Sequence, residues 1–224
     1  MTAVTMTAKS SMRPARKAAE PVSRRERSKR ERRQRIKEVA LALFVEKGFE
    51  ATVVEEITER ADVAKGTFFN YFPSKRVVLV DYYEALDVRF FTAIAQLDPT
   101  QPEPALARYF RWAERTLRTE GALARVLFEA IAVQPDLDAI DHESGRRVER
   151  EMARFLAEAR ARGTVRPGTD PDLGAAILAD LWAASVRAWF EAHQVGSLAK
   201  TLTAKVSVLF RGLAPAHPAR RRGA

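Results

Sequence analysis

Between Thr52 and Lys75 the chain reads TVVEEITERADVAKGTFFNYFPSK: two short helical runs around a tight turn, stopped by a proline. Thr52 with Glu55 three residues on has the form of a capping box, which predicts that the threonine oxygen accepts from an early helix amide. Ile57 and Ala61 give the first run a small apolar face. Asp62-Val63 makes the turn, since Asp tolerates left-handed backbone angles. A second helix follows from about Lys65 to Phe72 and ends before Pro73, which disfavours helical angles in the preceding residue.

That second helix is two-faced. Phe68 and Phe72 lie four apart and point inward, while Thr67, Asn70 and Tyr71 share another side. Lys65 and Lys75 bracket it with positive charge. A short helix with polar and aromatic groups on its open face fits the major groove of DNA, with lysines on phosphates. Spacing alone leaves an ordinary helical hairpin equally open.

The residues go further than the spacing. Gly48-Phe49, Ala51-Thr52, Ile57, Ala61, Val63 and KGTFFNYFPSK together resemble the DNA-binding domain of the TetR family of bacterial repressors. The resemblance covers about Arg32 to Leu79; the remainder agrees in length and helical character. It implies that Thr52 caps its helix and touches a phosphate. It implies that Lys65, Gly66, Thr67 and Asn70 face bases or adjoining backbone, and that Tyr71 and Lys75 hold phosphates. Phe69 stands in the same DNA-facing set where the family often has Tyr, so a phosphate-bonding hydroxyl is missing. Ala64 replaces a frequent Ser cap, worth ~1 kcal/mol, and Asp62 replaces a frequent Gly. These departures bear on the base contacts rather than the fold.

Charge placement supports a nucleic-acid partner. The chain of 224 residues has a net charge of +9. Its first 35 residues hold twelve Lys or Arg against three Glu, which accounts for the whole excess. A cationic arm beside such a motif is either a backbone or minor-groove contact or a solvated tail. Residues 1–26, with Pro14 and Pro21 and little apolar periodicity, read as disordered.

An all-α fold of about nine helices is expected, with no strand pattern. Residues 27–74 form a three-helix DNA-binding domain with its motif at about 53–72. Residues 75–213 form a larger helical effector-binding and dimerisation domain, and 214–224 a disordered tail. Gly48 ends the first helix as a C′ residue, with Phe49 packing back on Phe44 as in a Schellman end. Later helices are expected at about 74–96, 103–118, 122–133, 137–162, 171–193 and 198–211, punctuated by prolines and glycines.

The last two helices are apolar over more than one stripe, which demands burial on several sides. An intrachain core answers part of that demand. A homodimer pairing residues 171–193 and 198–211 with a copy answers the rest, as the resemblance implies. Two-fold symmetry would match a palindromic operator.

The resemblance also implies a small-molecule effector among the middle helices. Pocket candidates are Phe91, Trp112, Phe128, Phe155 and Trp182. With no polar cluster legible, a hydrophobic effector is expected.

Other functions find little support. There is no cysteine, so no disulfide, thiolate metal site or cysteine nucleophile. His142-Glu143 lacks the second histidine of a zincin motif, and His193 and His217 stand alone. No phosphate loop or GxSxG elbow occurs. No catalytic residue, metal site or cofactor is expected. No apolar run reaches the ~18 residues of a membrane span, and a cytoplasmic protein is expected. The leading expectation is a homodimeric repressor released from its operator by an effector. An effector-independent activator or architectural protein is the alternative, with a helical enzyme behind it.

Overall fold

The structure is a computed structural model and describes residues 23–212. The expected disordered segments at 1–22 and 214–224 lie outside them. The described residues form α1 (Arg24–Lys47), α2 (Val54–Arg60), α3 (Lys65–Tyr71), α4 (Lys75–Ala95), α5 (Pro102–Glu120), α6 (Ala122–Val133), α7 (Pro135–Ala161), α8 (Pro171–Glu191) and α9 (Leu198–Arg211). No strand occurs among them.

Local chemistry sets the helix ends. The Ser23 side chain accepts from the Glu26 N–H and starts α1 at Arg24. The expected disordered arm to residue 26 is therefore too long, and Arg24, Arg25 and Arg27 are exposed residues of a helix. The Asp170 side chain accepts from Asp172 and Leu173 and starts α8, with Pro171 as its first residue. Ser197 does the same for α9 through the Lys200 N–H.

Two expected ends come out differently. The α2 N-cap is Val53, one residue later than expected, and Glu56 rather than Glu55 accepts from the cap N–H. Thr52 lies one residue before the cap, with its hydroxyl turned to the α1 end, where it donates to the Gly48 carbonyl at 2.8 Å and lies 3.3 Å from that of Leu43. The α1 end keeps the Phe44–Phe49 contact, edge-on at 5.1 Å. Gly48, however, takes φ 87° and ψ 155°, outside the left-handed helical well of a Schellman end. Asp62 does adopt the left-handed turn, with φ 51°.

The first three helices close over Ile36, Ala40, Phe44, Ile57, Phe68 and Phe72, all essentially buried. α4 extends that core through Val78 and Leu79 and continues into the second half through Leu86, Phe90 and Ile94. There α8 packs chiefly on α7 and α9, and α9 chiefly on α5. α1 also touches α6.

α8 is long and apolar enough by composition to cross a membrane, but Asp180 lies within it and it packs on two neighbours. Only 28% of its most apolar window is buried. Leu173 and Ile177 of α8 and Val208 and Leu209 of α9 remain exposed.

Asp81 ties α4 to α1. Lys37 Nζ donates to its Oδ2 at 2.6 Å, and the Arg33 guanidinium pairs with Oδ1. Burial pushes the Asp81 carboxyl up, but Arg33 and Lys37 together outweigh it and hold the group below its ordinary value. A lowered native pKa gives stability that is present above the unfolded pKa and lost as pH falls toward the native one. Thermal unfolding followed against pH should show this loss below about pH 4, and Asp81→Asn should flatten that acid limb. An acid limb of equal steepness in the variant would mean the ion pairs contribute nothing.

Candidate nucleic-acid interface

The turn at Asp62 sets α3 across α2 with Phe68 wholly buried and Phe72 beneath it. This anchoring turns the other side of α3 to solvent. Lys65, Gly66 and Asn70 are exposed, Thr67 and Tyr71 are half-buried, and Phe69 is 44% exposed. Nothing lies within 4 Å of the place a Cβ on Gly66 would occupy, so the backbone is open there to a close approach. The Tyr71 ring packs on the core. Ala64 is the N-cap of α3 and provides no side-chain bond, as its identity requires.

Six of the eight residues expected at DNA therefore share one surface. Lys65 is not idle there: its ammonium pairs with the Glu55 carboxylate on α2. Both groups are well exposed. The hydrogen bond from Lys65 holds the Glu55 carboxyl below its ordinary value.

Thr52 and Lys75 are placed elsewhere. Thr52 is wholly buried, and its hydroxyl donates to the α1 end, so the free protein does not present this hydroxyl to a phosphate. Lys75 Nζ donates to three main-chain carbonyls, Phe49 at 2.7 Å, Glu50 at 2.9 Å and Thr52 at 2.8 Å. It also stands over the Phe49 ring at 4.7 Å. An ammonium has three protons, and these contacts use them all. Desolvation pulls the Lys75 pKa down, against the pull of Glu50. Lys75 is thus a clasp joining α4 to the α1–α2 turn. Sequence spacing could not separate that role from a phosphate contact, since both ask for a cation at the same place.

A second candidate feature lies in the larger half. A pocket of about 200 Å³ opens between α4, α5, α6, α7 and α8. Phe90, Tyr109, Trp182, Phe128 and Phe190 supply its aromatic walls. The Phe128 and Phe190 rings stack at 5.0 Å, and Trp182 stands 5.8 Å from Phe90.

Of the five expected pocket residues, Phe128 and Trp182 line it and three do not. Phe91 is buried against the Arg147 guanidinium, 3.9 Å from its ring. Trp112 packs on Phe90 from outside, and Phe155 is buried among the core residues. Helical periodicity marks an apolar side chain as inward without saying whether it meets a neighbour or a space.

The polar lining was not legible in the sequence. Asp87, Asp141, Ser144, Tyr83 and Tyr109 all reach this pocket, a polar cluster the sequence did not show. Tyr83 Oη donates to Asp141 at 2.8 Å. Burial pushes the Asp87 carboxyl up; Ser144 opposes the shift and Asp141 adds to it. Burial likewise raises Tyr109, whose hydroxyl stays protonated.

Two larger hollows, of about 540 and 810 Å³, are surface clefts. The first lies along the α7–α8 loop and the end of α9, the second among charged residues of α5 and α9. No cluster of His, Asp and Glu fit to hold a metal occurs among the described residues.

Comparison with known proteins agrees with this geometry. The family model described as bacterial regulatory proteins, tetR family, matches residues 36–81. The HTH-type transcriptional repressor KstR of Mycolicibacterium smegmatis is 30% identical over 169 residues, covering 72% of this chain and 78% of KstR. The HTH-type transcriptional regulator TcmR of Streptomyces glaucescens is 31% identical over 160 residues, 68% of this chain and 67% of TcmR. Among solved structures, Thermus thermophilus FadR, a repressor in complex with lauroyl-CoA, superposes with a TM-score of 0.62 at 28% identity. The match covers 85% of this chain and all of FadR's, 100%.

Two substitutions separate the lysines' roles. Lys75→Ala should lower folding stability by about 1–2 kcal/mol, read by denaturant unfolding, while the salt slope of DNA binding stays the same. A slope flattened by about one unit would instead return Lys75 to a phosphate. Glu55→Gln should raise affinity for non-specific duplex by releasing Lys65, and an unchanged affinity would show the ion pair to be irrelevant to binding.

Proposed function

This chain belongs to the TetR family of bacterial regulatory proteins, and on that premise we propose that it is a homodimeric repressor released from a palindromic operator by a small-molecule effector. A DNA-binding transcriptional regulator is what its relatives are named as, and none of those quoted is named as an enzyme. The finer reading rests on three features of this chain.

The recognition surface is Lys65, Gly66, Thr67, Phe69, Asn70 and Tyr71. Thr67 and Asn70 read base edges, while Lys65 and the Tyr71 hydroxyl meet phosphates. Phe69 offers an apolar edge to a thymine methyl or a sugar. One helix of seven residues reads few base pairs. A two-fold pair doubles the reading, with half-sites spaced by about 34 Å or a multiple.

The second copy is supplied by the exposed apolar side chains of α8 and α9, Leu173, Ile177, Val208 and Leu209. Pairing these helices across a two-fold axis gives a four-helix bundle and covers that surface.

The observation that carries effector control is the sharing of helices between pocket and DNA-binding half. Asp87 and Phe90 of the pocket lie on α4, the helix whose first residue, Lys75, is clasped to the α1–α2 turn. α6 and α7 also line the pocket, and their junction reaches the same half. Gln134 bonds Glu50, and Arg76 pairs with Asp136. An effector that fits one arrangement of these helices biases the spacing of the two α3 helices, a coupling of ~1–3 kcal/mol. FadR's complex with lauroyl-CoA makes a small-molecule effector a natural expectation here. Work on chromosomal DNA places the protein in the cytoplasm.

Genomic fragments selected by the purified protein should share a palindrome, protected in footprinting by two copies of the chain. A small molecule bound in the pocket should then release that DNA. Protein that stays monomeric and protects no palindrome at moderate salt would overturn the reading. Palindrome binding that no pocket ligand alters would leave an effector-independent regulator in its place.

A further inference from the structure

We propose that the pocket between α4, α5, α6, α7 and α8 selects an organic cation, a protonated or quaternary amine carrying an apolar or aromatic body. The inference rests on the reading that this pocket takes an effector, and it deepens that reading by naming the ligand's charge.

Two carboxylates face the pocket, Asp87 from α4 and Asp141 from α7. No lysine, arginine or histidine is among its lining residues. Among the described residues neither carboxylate has an ion-pair partner. The nearby cation, Arg147, lies on the Phe91 ring at 3.9 Å. It lowers the Asp87 pKa only in part, and Glu84 and Asp141 act against it. Asp87 is half-buried, and a carboxylate partly withdrawn from water without a counter-charge carries a desolvation cost, which a ligand cation offsets.

The rest of the lining suits the same guest. Asp141 is exposed and already accepts from Tyr83, whereas Asp87 is half-buried, so the two mark an outer and an inner station for positive charge. Phe90, Tyr109 and Trp182 stand with ring centroids 5.8 to 6.5 Å apart, and aromatic faces attract cations. Tyr109, 7% exposed, lines the same pocket. Phe128 and Phe190 hold the apolar body. An anionic ligand meets two like charges, and a neutral apolar one leaves both carboxylates uncompensated.

The test uses the full chain, with binding followed by calorimetry and by tryptophan fluorescence, since Trp182 lines the site. Three probes are compared: benzyltrimethylammonium, its uncharged carbon isostere neopentylbenzene, and anionic lauroyl-CoA. The cation should bind at least about tenfold tighter than the isostere, as two uncompensated carboxylates demand. Asp87→Asn should bring that ratio toward one. Asp141→Asn gives the same comparison should the first variant fail to fold. Equal or tighter binding of the isostere or of lauroyl-CoA overturns the proposal, as does a ratio that survives both substitutions or a cation that does not bind. Selective cation binding that leaves operator DNA bound would sink effector release but not this ligand class. Release by a neutral or anionic compound alone would do the reverse.

Discussion

The ammonium of Lys75, held by the carbonyls of Phe49, Glu50 and Thr52, is the contact on which the relation between the two halves depends. Those carbonyls belong to the segment between α1 and α2, which has no helical partners of its own for them. One side chain at the start of α4 satisfies all three. The segment is further fixed from within by Thr52, whose hydroxyl donates back to Gly48. Asp81, two turns along α4, grips Arg33 and Lys37 of α1. The DNA-binding half is therefore fastened to α4 at two points six residues apart, Lys75 and Asp81.

Rigid attachment matters because the far end of α4 lines the pocket. Asp87 and Phe90 stand about three and four turns beyond the clasp, in the same continuous helix. Under the proposed effector control, a small tilt at the pocket would become a larger displacement at α3, since interlocked helices shift between packings rather than deform smoothly. The contacts of Gln134 with Glu50 and of Asp136 with Arg76 give α6 and α7 a separate hold on the same half.

Much of this was legible in the sequence. Helix punctuation is local chemistry: Asp170-Pro171 and Ser197 fix helix starts to within a few residues. The inward row Phe68 and Phe72 follows from spacing alone, and with it the outward row on α3. Legibility failed where one residue type serves two tasks. A lysine after the recognition helix is equally suited to a phosphate or to orphan carbonyls, and only the fold decides. Thr52 had the spacing of a cap, yet the adjacent helix end claimed its hydroxyl. The acidic pocket was hidden for another reason. Asp87 and Asp141 sit 54 positions apart on different helices, each among ordinary surface charges in its own stretch. Their convergence is a property of the α4–α7 packing.

The exposed pair between Lys65 and Glu55 reaches beyond local stability, to which surface pairs contribute little. In the proposed complex the lysine turns to a phosphate, which leaves Glu55 bare beside a polyanion. A register that offers Lys65 no phosphate keeps the pair closed and gains nothing; one that offers a poorly placed phosphate strands the carboxylate. On that reading the pair sets a cost that every phosphate contact of Lys65 must outweigh, and a poorly placed phosphate outweighs it less than a well-placed one.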